Sequence, residues 1–339
     1  MEKIKPTLNG AAETMLQSFY ARAKYSKSKN CKFYDAKAVE IVDKLDYDFD
    51  DAHSDSTMGN GVIARSIVLD ELVGDFIKKN PDCVVVNIAC GLDTRFYRMD
   101  NGRITWYNLD LPETIEVRDQ IYNEHGRVST IGASAFDPSW PEKVTVRGKM
   151  LFVIEGLSMY LTAEENAKML SIIRDNFDNA YVIMECLAKK WVNKEDLEKS
   201  IQKTGAKFVF GADSFDDLGD VAKGFERVKD DNITRGMVKI YPILKPFQNL
   251  PLINKAAQKM LIFRKKKGIA EAIMKETGRG VTQWNGEGAF TSEDNYVLVT
   301  IVNKFEVEDI LNMVYLLDPE AFTTVDEGVK VYGNFQKRV

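Results

Sequence analysis

The stretch Cys83-Val-Val-Val-Asn-Ile-Ala-Cys-Gly-Leu-Asp-Thr-Arg-Phe-Tyr-Arg98 decides the fold. Its first half is apolar and rich in β-branched residues, the composition of a strand buried on both faces. It runs into a small-residue turn, Ala89-Cys90-Gly91, with a helix to follow. Small residues there let a ligand approach the backbone, and the helix start offers free amides. Asp110 stands 19 residues past Gly91 and closes the next apolar run, 104–109. In a doubly wound sheet, a carboxylate at that place accepts hydrogen bonds from both ribose hydroxyls of a nucleotide.

Outward from this stretch, apolar runs at 127–132, 150–154 and 180–184 alternate with helical stretches at 112–123 and 163–177. The second of these helices opens on Thr162-Ala-Glu-Glu165, a capping box. Continuous apolar strands separated by helices predict a parallel sheet covered on both faces. Residues 11–28, 35–44 and 60–79 read as helix, so the first 80 residues are expected to form a cap. The apolar Met260 to Phe263 completes the sheet, and the basic run Arg264 to Lys267 reads as a strand end passing into a linker. The expectation is therefore an α/β domain over 1–267, with a Rossmann-like doubly wound sheet and an N-terminal helical cap.

The tail, 268–339, carries six basic against twelve acidic residues and has its own pattern. Helix is expected at 269–276 and 307–317, strands at 280–290 and 296–302, and a last extended pair at 321–325 and 329–332. The order α-β-β-α-β predicts a small second domain of α+β type, ferredoxin-like, with helices on one side of an antiparallel sheet.

Composition narrows the function. Of 339 residues, 45% are hydrophobic and 29% charged, which is globular. The formal charge of −5 argues against a nucleic-acid or membrane-surface partner, since both select a basic face. No apolar run is long enough to cross a bilayer, and the N-terminus lacks the apolar core of a signal peptide. Cys31, Cys83, Cys90 and Cys186 show neither disulfide nor metal spacing, and two histidines leave little for a metal, so none is expected. Reduced thiols predict a cytoplasmic location.

Two nucleotide classes compete for the turn. A dinucleotide would want G-x-G-x-x-G so that its pyrophosphate can sit on the helix start. Here Asp93, Thr94 and Arg95 occupy that position, and an acid facing a diphosphate is unfavourable. The cationic sulfonium and amine of S-adenosylmethionine (SAM) tolerate carboxylates, so the chemistry leans toward SAM.

Residues 86–98 resemble the glycine-loop signature of the leucine carboxyl methyltransferase family, whose bacterial branch includes polyketide O-methyltransferases. The likeness continues in order through the opening helix (Glu13 to Ala23), Asp46 to Phe49, Arg65, Asp110-Leu-Pro112, Ser134 to Trp140 and Phe152 to Tyr160, and spans about 7–265. One departure is Ala89, where the family has the first glycine of its turn. The resemblance implies a SAM-dependent O-methyltransferase in which Arg65 and Arg22 hold the SAM carboxylate. Ala89 and Gly91 would pass beneath the methionine portion, and Asp110 and Leu111 would take the ribose side. Ser134 and Ala135 would flank the adenine, and Glu155 would sit near the amino acid end.

An acid such as Glu155, ending an apolar run at a sheet's C-terminal edge, lies where ligands bind in such folds. For the acceptor, a carboxylate is already ionised at neutral pH and needs no base, whereas a phenol or alcohol benefits from one. His53 and His125 are the sole histidines, and each reads as a surface or linker residue, which favours a small acidic acceptor. Segment 187–214 mixes lysines with Trp191, Phe208 and Phe210, and with Tyr160 it is the expected acceptor side. An ordinary amphipathic helix has the same composition.

The tail motifs Gly278-Arg-Gly-Val-Thr282, Gly286-Glu-Gly-Ala-Phe290 and Leu317 to Phe322 resemble the small domain that ends bacterial YitT-type membrane proteins, similar in topology to PII-like signalling domains. That likeness implies a regulatory module or one through which the chain self-associates. Three readings stand: an active O-methyltransferase with a regulatory tail, a non-catalytic SAM-binding sensor or scaffold, and a nucleotide oxidoreductase.

Overall fold

The computed structural model describes residues 14–47, 56–194, 207–266, 268–287, 294–318 and 321–328. His53, residues 195–206 of the acceptor-side segment and the extended piece expected at 329–332 lie outside them. The chain forms two compact units, Met1–Lys265 and Lys266–Val339.

The apolar runs of the first unit are strands of one sheet: β1 (Val84–Ile88), β2 (Thr105–Asp110), β3 (Val128–Gly132), β4 (Met150–Ile154) and β5 (Ala180–Cys186), all parallel. Two antiparallel strands, β6 (Phe225–Asn232) and β7 (Lys259–Lys265), extend it to the order β3-β2-β1-β4-β5-β7-β6. Sequence reading misses β6 for a physical reason. It is an edge strand, Phe225-Glu-Arg-Val-Lys-Asp-Asp-Asn232, with only Phe225 buried, so it carries no apolar run.

Both faces of the sheet are apolar because the strands are covered on both sides. Val84, Val86 and Ile88 pack with Phe152, Trp140 and Phe177 on one face. On the other, Val85, Trp106, Leu151 and Val153 meet Val68, Leu69 and Val73 of the helix Ser56–Lys79. The first face is locked by Trp140 stacked on Phe177 at 5.6 Å. Between strands lie helices Arg95–Met99, Pro112–Ile121 and Ala163–Asn176. The last has its capping box: the Glu165 amide donates to Thr162 Oγ1, and the Thr162 amide donates to Glu165 Oε2. Helices α1 (Thr14–Ser26) and α2 (Ala36–Val42) share a separate cluster with Leu92 and Tyr122, whereas α3 (Ser56–Lys79), expected in the cap, lays Val68 to Ile77 on the sheet.

The topology fixes where a ligand can enter. Strand order reverses between β1 and β4, so the loops leaving their C-terminal ends diverge and open a crevice. Those loops are Ala89 to Thr94 and Glu155 to Leu157.

In the second unit a helix (Ile269–Thr277) precedes an antiparallel hairpin (Val281–Glu287 with Asp294–Thr300) and a further helix (Val307–Leu317). Ile273, Ile310 and Val314 form its core. The strand expected at 321–325 is absent, and those residues have no regular structure. They follow the Asp318 helix end, and Phe322 is exposed rather than packed on the hairpin. β-propensity without a buried face does not make a strand.

Because the two units have separate cores, we expect residues 1–267 to fold alone. Truncation after Lys267 should give a soluble protein with a single cooperative thermal transition. An aggregated or molten product would mean that the two cores depend on each other.

Candidate active site

The turn after β1 is built from left-handed backbone. Ala89 (φ +53°) and Gly91 (φ +47°) both sit in the region that favours glycine. A side chain on Gly91 would also come within 3.1 Å of Met15 Cβ on α1. Three buried groups pin the carbonyls of this turn. Arg118 donates to Gly91 O (2.8 Å), while Arg22 (2.9 Å) and the Tyr122 hydroxyl (3.2 Å) donate to Leu92 O.

Asp110 closes the turn from the next strand. Its two oxygens accept the Gly91 and Leu111 amides, each at 2.7 Å. Each carboxylate oxygen has a second lone pair, so both can accept again. Burial pushes this acid above the ordinary carboxylate range, against the pull of those amides. Among the described residues no arginine or lysine pairs with it, because neighbouring Arg118 is paired with Glu124. A desolvated carboxylate at the rim, held by the Gly91 and Leu111 amides and Thr114 but by no salt bridge among the described residues, suits a partner that brings hydroxyls.

Behind the turn lies a buried ionic network. The guanidinium of Arg95 is 1% exposed and contacts three acids: Asp70 (2.8 Å), Asp93 (2.6 Å) and Glu155 (2.8 Å). Arg98 pairs with Asp70 (2.6 Å) and Asp35 (3.1 Å), and Arg22 reaches the same Asp35 oxygen at 3.0 Å. Arg65, from α3, lies between Glu155 (2.7 Å) and Glu185 (3.2 Å). Although its Nε is close to Glu155, the N–H is misaligned and lacks a hydrogen-bond acceptor.

Burial works to raise the acids Asp93 and Glu155, yet the surrounding arginines hold both below the usual carboxylate range. Glu185 goes the other way: burial, with the charge of Glu155, outweighs Arg65 and raises it. Its Oε2 accepts the Gly156 amide at 2.7 Å. Carboxylates outnumber arginines across this network and Asp110, so the crevice favours a cationic ligand.

Ser134 and Ala135 follow β3 beside the end of β2, where the Ala133 amide donates to Asp110 O. Leu111 is exposed at the same rim. Tyr160 and Trp191 fall in one apolar cluster with Met159, Leu187 and Phe208, and Tyr160 packs on Phe208 at 5.6 Å. Met159 and Tyr160 follow the Glu155 to Leu157 loop directly, and the Ser158 hydroxyl donates to Glu185 O, which places this cluster beside the crevice. His125 is on an exposed turn. Thus Arg65, Ala89, Gly91, Asp110, Leu111 and Glu155 line the C-terminal strand ends, while Arg22 lies beneath the turn.

The sequence reading omitted Asp35, Asp70 and Glu185. Glu185 was open to discovery, since it closes the apolar run of β5 as Glu155 follows that of β4. Asp70 carried no signal, because an acid on a long helix reads as solvated.

The sequence itself matches a known family. The family described as leucine carboxyl methyltransferase matches residues 12–174. The tetracenomycin polyketide synthesis O-methyltransferase TcmP of Streptomyces glaucescens is 32% identical over 205 residues, covering 60% of this chain and 76% of that protein. The chain belongs to the leucine carboxyl methyltransferase family. A second relative is the S-adenosyl-L-methionine-dependent methyltransferase dpfgK of Gibberella zeae, 31% identical over 199 residues, covering 54% of this chain and 66% of that one. In the second unit, residues 279–333 match a domain described as an uncharacterized protein conserved in bacteria (DUF2179). There the membrane protein YitT of Bacillus subtilis is 32% identical over 78 residues, covering 23% of this chain and 28% of that protein.

Replacing Arg95 tests the network. Arg95→Met leaves three acids without their shared cation and should cost about 3–5 kcal/mol, the scale for breaking a buried ion pair. Since Asp93 and Glu155 are held below their unfolded values, their contribution is present at neutral pH and lost as pH falls through the lowered values. The gap between wild type and variant in urea midpoint should therefore narrow in acid. A gap independent of pH would contradict the assignment.

Proposed function

We propose that this family member transfers a methyl group from SAM to an oxygen of a small acidic acceptor, a carboxylate. When bound, SAM supplies an electrophilic methyl on a sulfonium. The residues present fit SAM on one observation above all: Asp110, raised by burial and lacking a cationic partner among the described residues, beside a left-handed turn and an acid-rich crevice.

In this reading Asp110 accepts from the ribose hydroxyls with Leu111 beside it, and Ser134 and Ala135 flank the base. Ala89 and Gly91, both in left-handed backbone, pass beneath the methionine portion. Arg65 holds the amino acid carboxylate, with Glu155 at the ammonium. Arg22 acts one layer back by fixing Leu92 and so the turn. Tyr160 and Trp191 face the acceptor.

The absence of imidazole from this part of the described structure supports a carboxylate acceptor. Methyl transfer is an in-line displacement, so an ionised acceptor needs alignment and exclusion of water rather than a base. A second reading, a SAM binder without turnover, is favoured by Ala89. A non-glycine residue held in left-handed backbone costs about 1–2 kcal/mol. Incubation with isotopically labelled SAM and a panel of small carboxylic acids separates the two. Labelled, base-labile methyl esters are expected, and SAM binding with no transfer to any acid would favour the sensor.

Asp110→Ala should weaken SAM at least a hundredfold, because two charge-assisted bonds are worth roughly 3 kcal/mol or more together. Calorimetry on a variant whose thermal melt shows it folded makes the check, and unchanged affinity would sink the ribose assignment. Arg65→Ala should weaken SAM but leave methylthioadenosine, which lacks the carboxylate, nearly unaffected. Equal losses would show that Arg65 does not meet the carboxylate.

A further inference from the structure

Between the helix Thr234–Ile240 and β7, the chain makes a short 3-10 helix (Pro242–Phe247) and a helix (Pro251–Ala256), and neither has a buried residue. Their large apolar side chains face solvent: Ile243 is 80% exposed, Leu252 77%, Phe247 50% and Leu250 47%. Water-facing apolar groups concentrated in so short a segment mark an interaction site. The segment 232–258 contains no acidic residue and four basic ones, Arg235, Lys239, Lys245 and Lys255, in a chain of net charge −5. Glu71 of α3 answers Arg235 and Lys239, and Asp231 also meets Arg235 at 3.3 Å. Among the described residues no carboxylate pairs with Lys245 or Lys255, which flank the most exposed apolar groups.

We propose that residues 241–255 dock this methyltransferase on an anionic lipid surface, with Ile243, Phe247, Leu250 and Leu252 entering the headgroup boundary and Lys245 and Lys255 meeting lipid phosphates. Charge complementarity selects this occupant. A second copy would bring the same lysines against themselves. A protein partner buries a packed apolar core within its interface, whereas these four side chains lie on two short helices and the link between them, with no buried residue in either helix. A fluid headgroup layer conforms to such a segment, and apolar insertion and lysine attraction then add. Prolines at 242, 246 and 251 stiffen the projection. The overall acidity that argued against a membrane partner is an average that conceals this local stretch.

Cosedimentation of the full chain with lipid vesicles tests the proposal. Vesicles of phosphatidylcholine containing phosphatidylglycerol should bind at least about tenfold more protein than phosphatidylcholine alone, since each lysine contributes near the surface. Added salt should reduce that binding. The double variant Ile243→Glu/Leu252→Glu should keep its thermal midpoint, because both side chains are mostly exposed, and lose the vesicles. Equal binding to both vesicle types, no binding at low salt, or undiminished binding by the variant would overturn the proposal. So would light scattering that shows an oligomer dispersed by the variant without any vesicle binding, which would assign the patch to a second copy.

Discussion

The site depends on one buried cation. Arg95 lies almost out of water, with Asp93 from its own turn, Asp70 from α3 and Glu155 from the far side of the crevice around it. Those acids belong to three separate elements, and each would be costly to bury unpaired. Their shared arginine ties the loop after β1 to Glu155 on the loop after β4, at 2.8 Å. Specificity of arrangement rather than net stability is what such a network provides.

The same logic joins the cap to the turn. Asp35 caps α2 through the Ala38 amide, takes the Thr94 hydroxyl at 2.5 Å, and pairs with both Arg22 and Arg98. Arg22 continues to the Leu92 carbonyl. A helix far from the sheet in sequence thereby shapes the backbone that approaches a ligand. The crevice keeps an excess of carboxylate, so a cationic ligand completes its charge balance, whereas a pyrophosphate would oppose it.

Most of the fold was legible because hydrophobic burial writes it directly into the chain. The five parallel strands are apolar on both faces, and the Thr162 capping box announces its helix. The edge strand β6 was not legible, since with one buried residue it lacks the signal that marks strands. The strand expected at 321–325 failed for the converse reason: Phe322 and Val325 have β-forming side chains but no face to bury. Within the site, Asp110, Gly91 and Glu155 could be read from their places at strand ends. The partners of Arg95 and Arg98 could not, because ion pairing between elements is set by tertiary approach.

We propose that these strand ends hold SAM. Native mass spectrometry of the intact protein, as purified and after addition of SAM, S-adenosylhomocysteine or NAD, tests it most directly. The structure predicts one SAM or S-adenosylhomocysteine per chain, and no retained NAD. Retention of NAD in preference to SAM, or no adduct with any of the three, would contradict it.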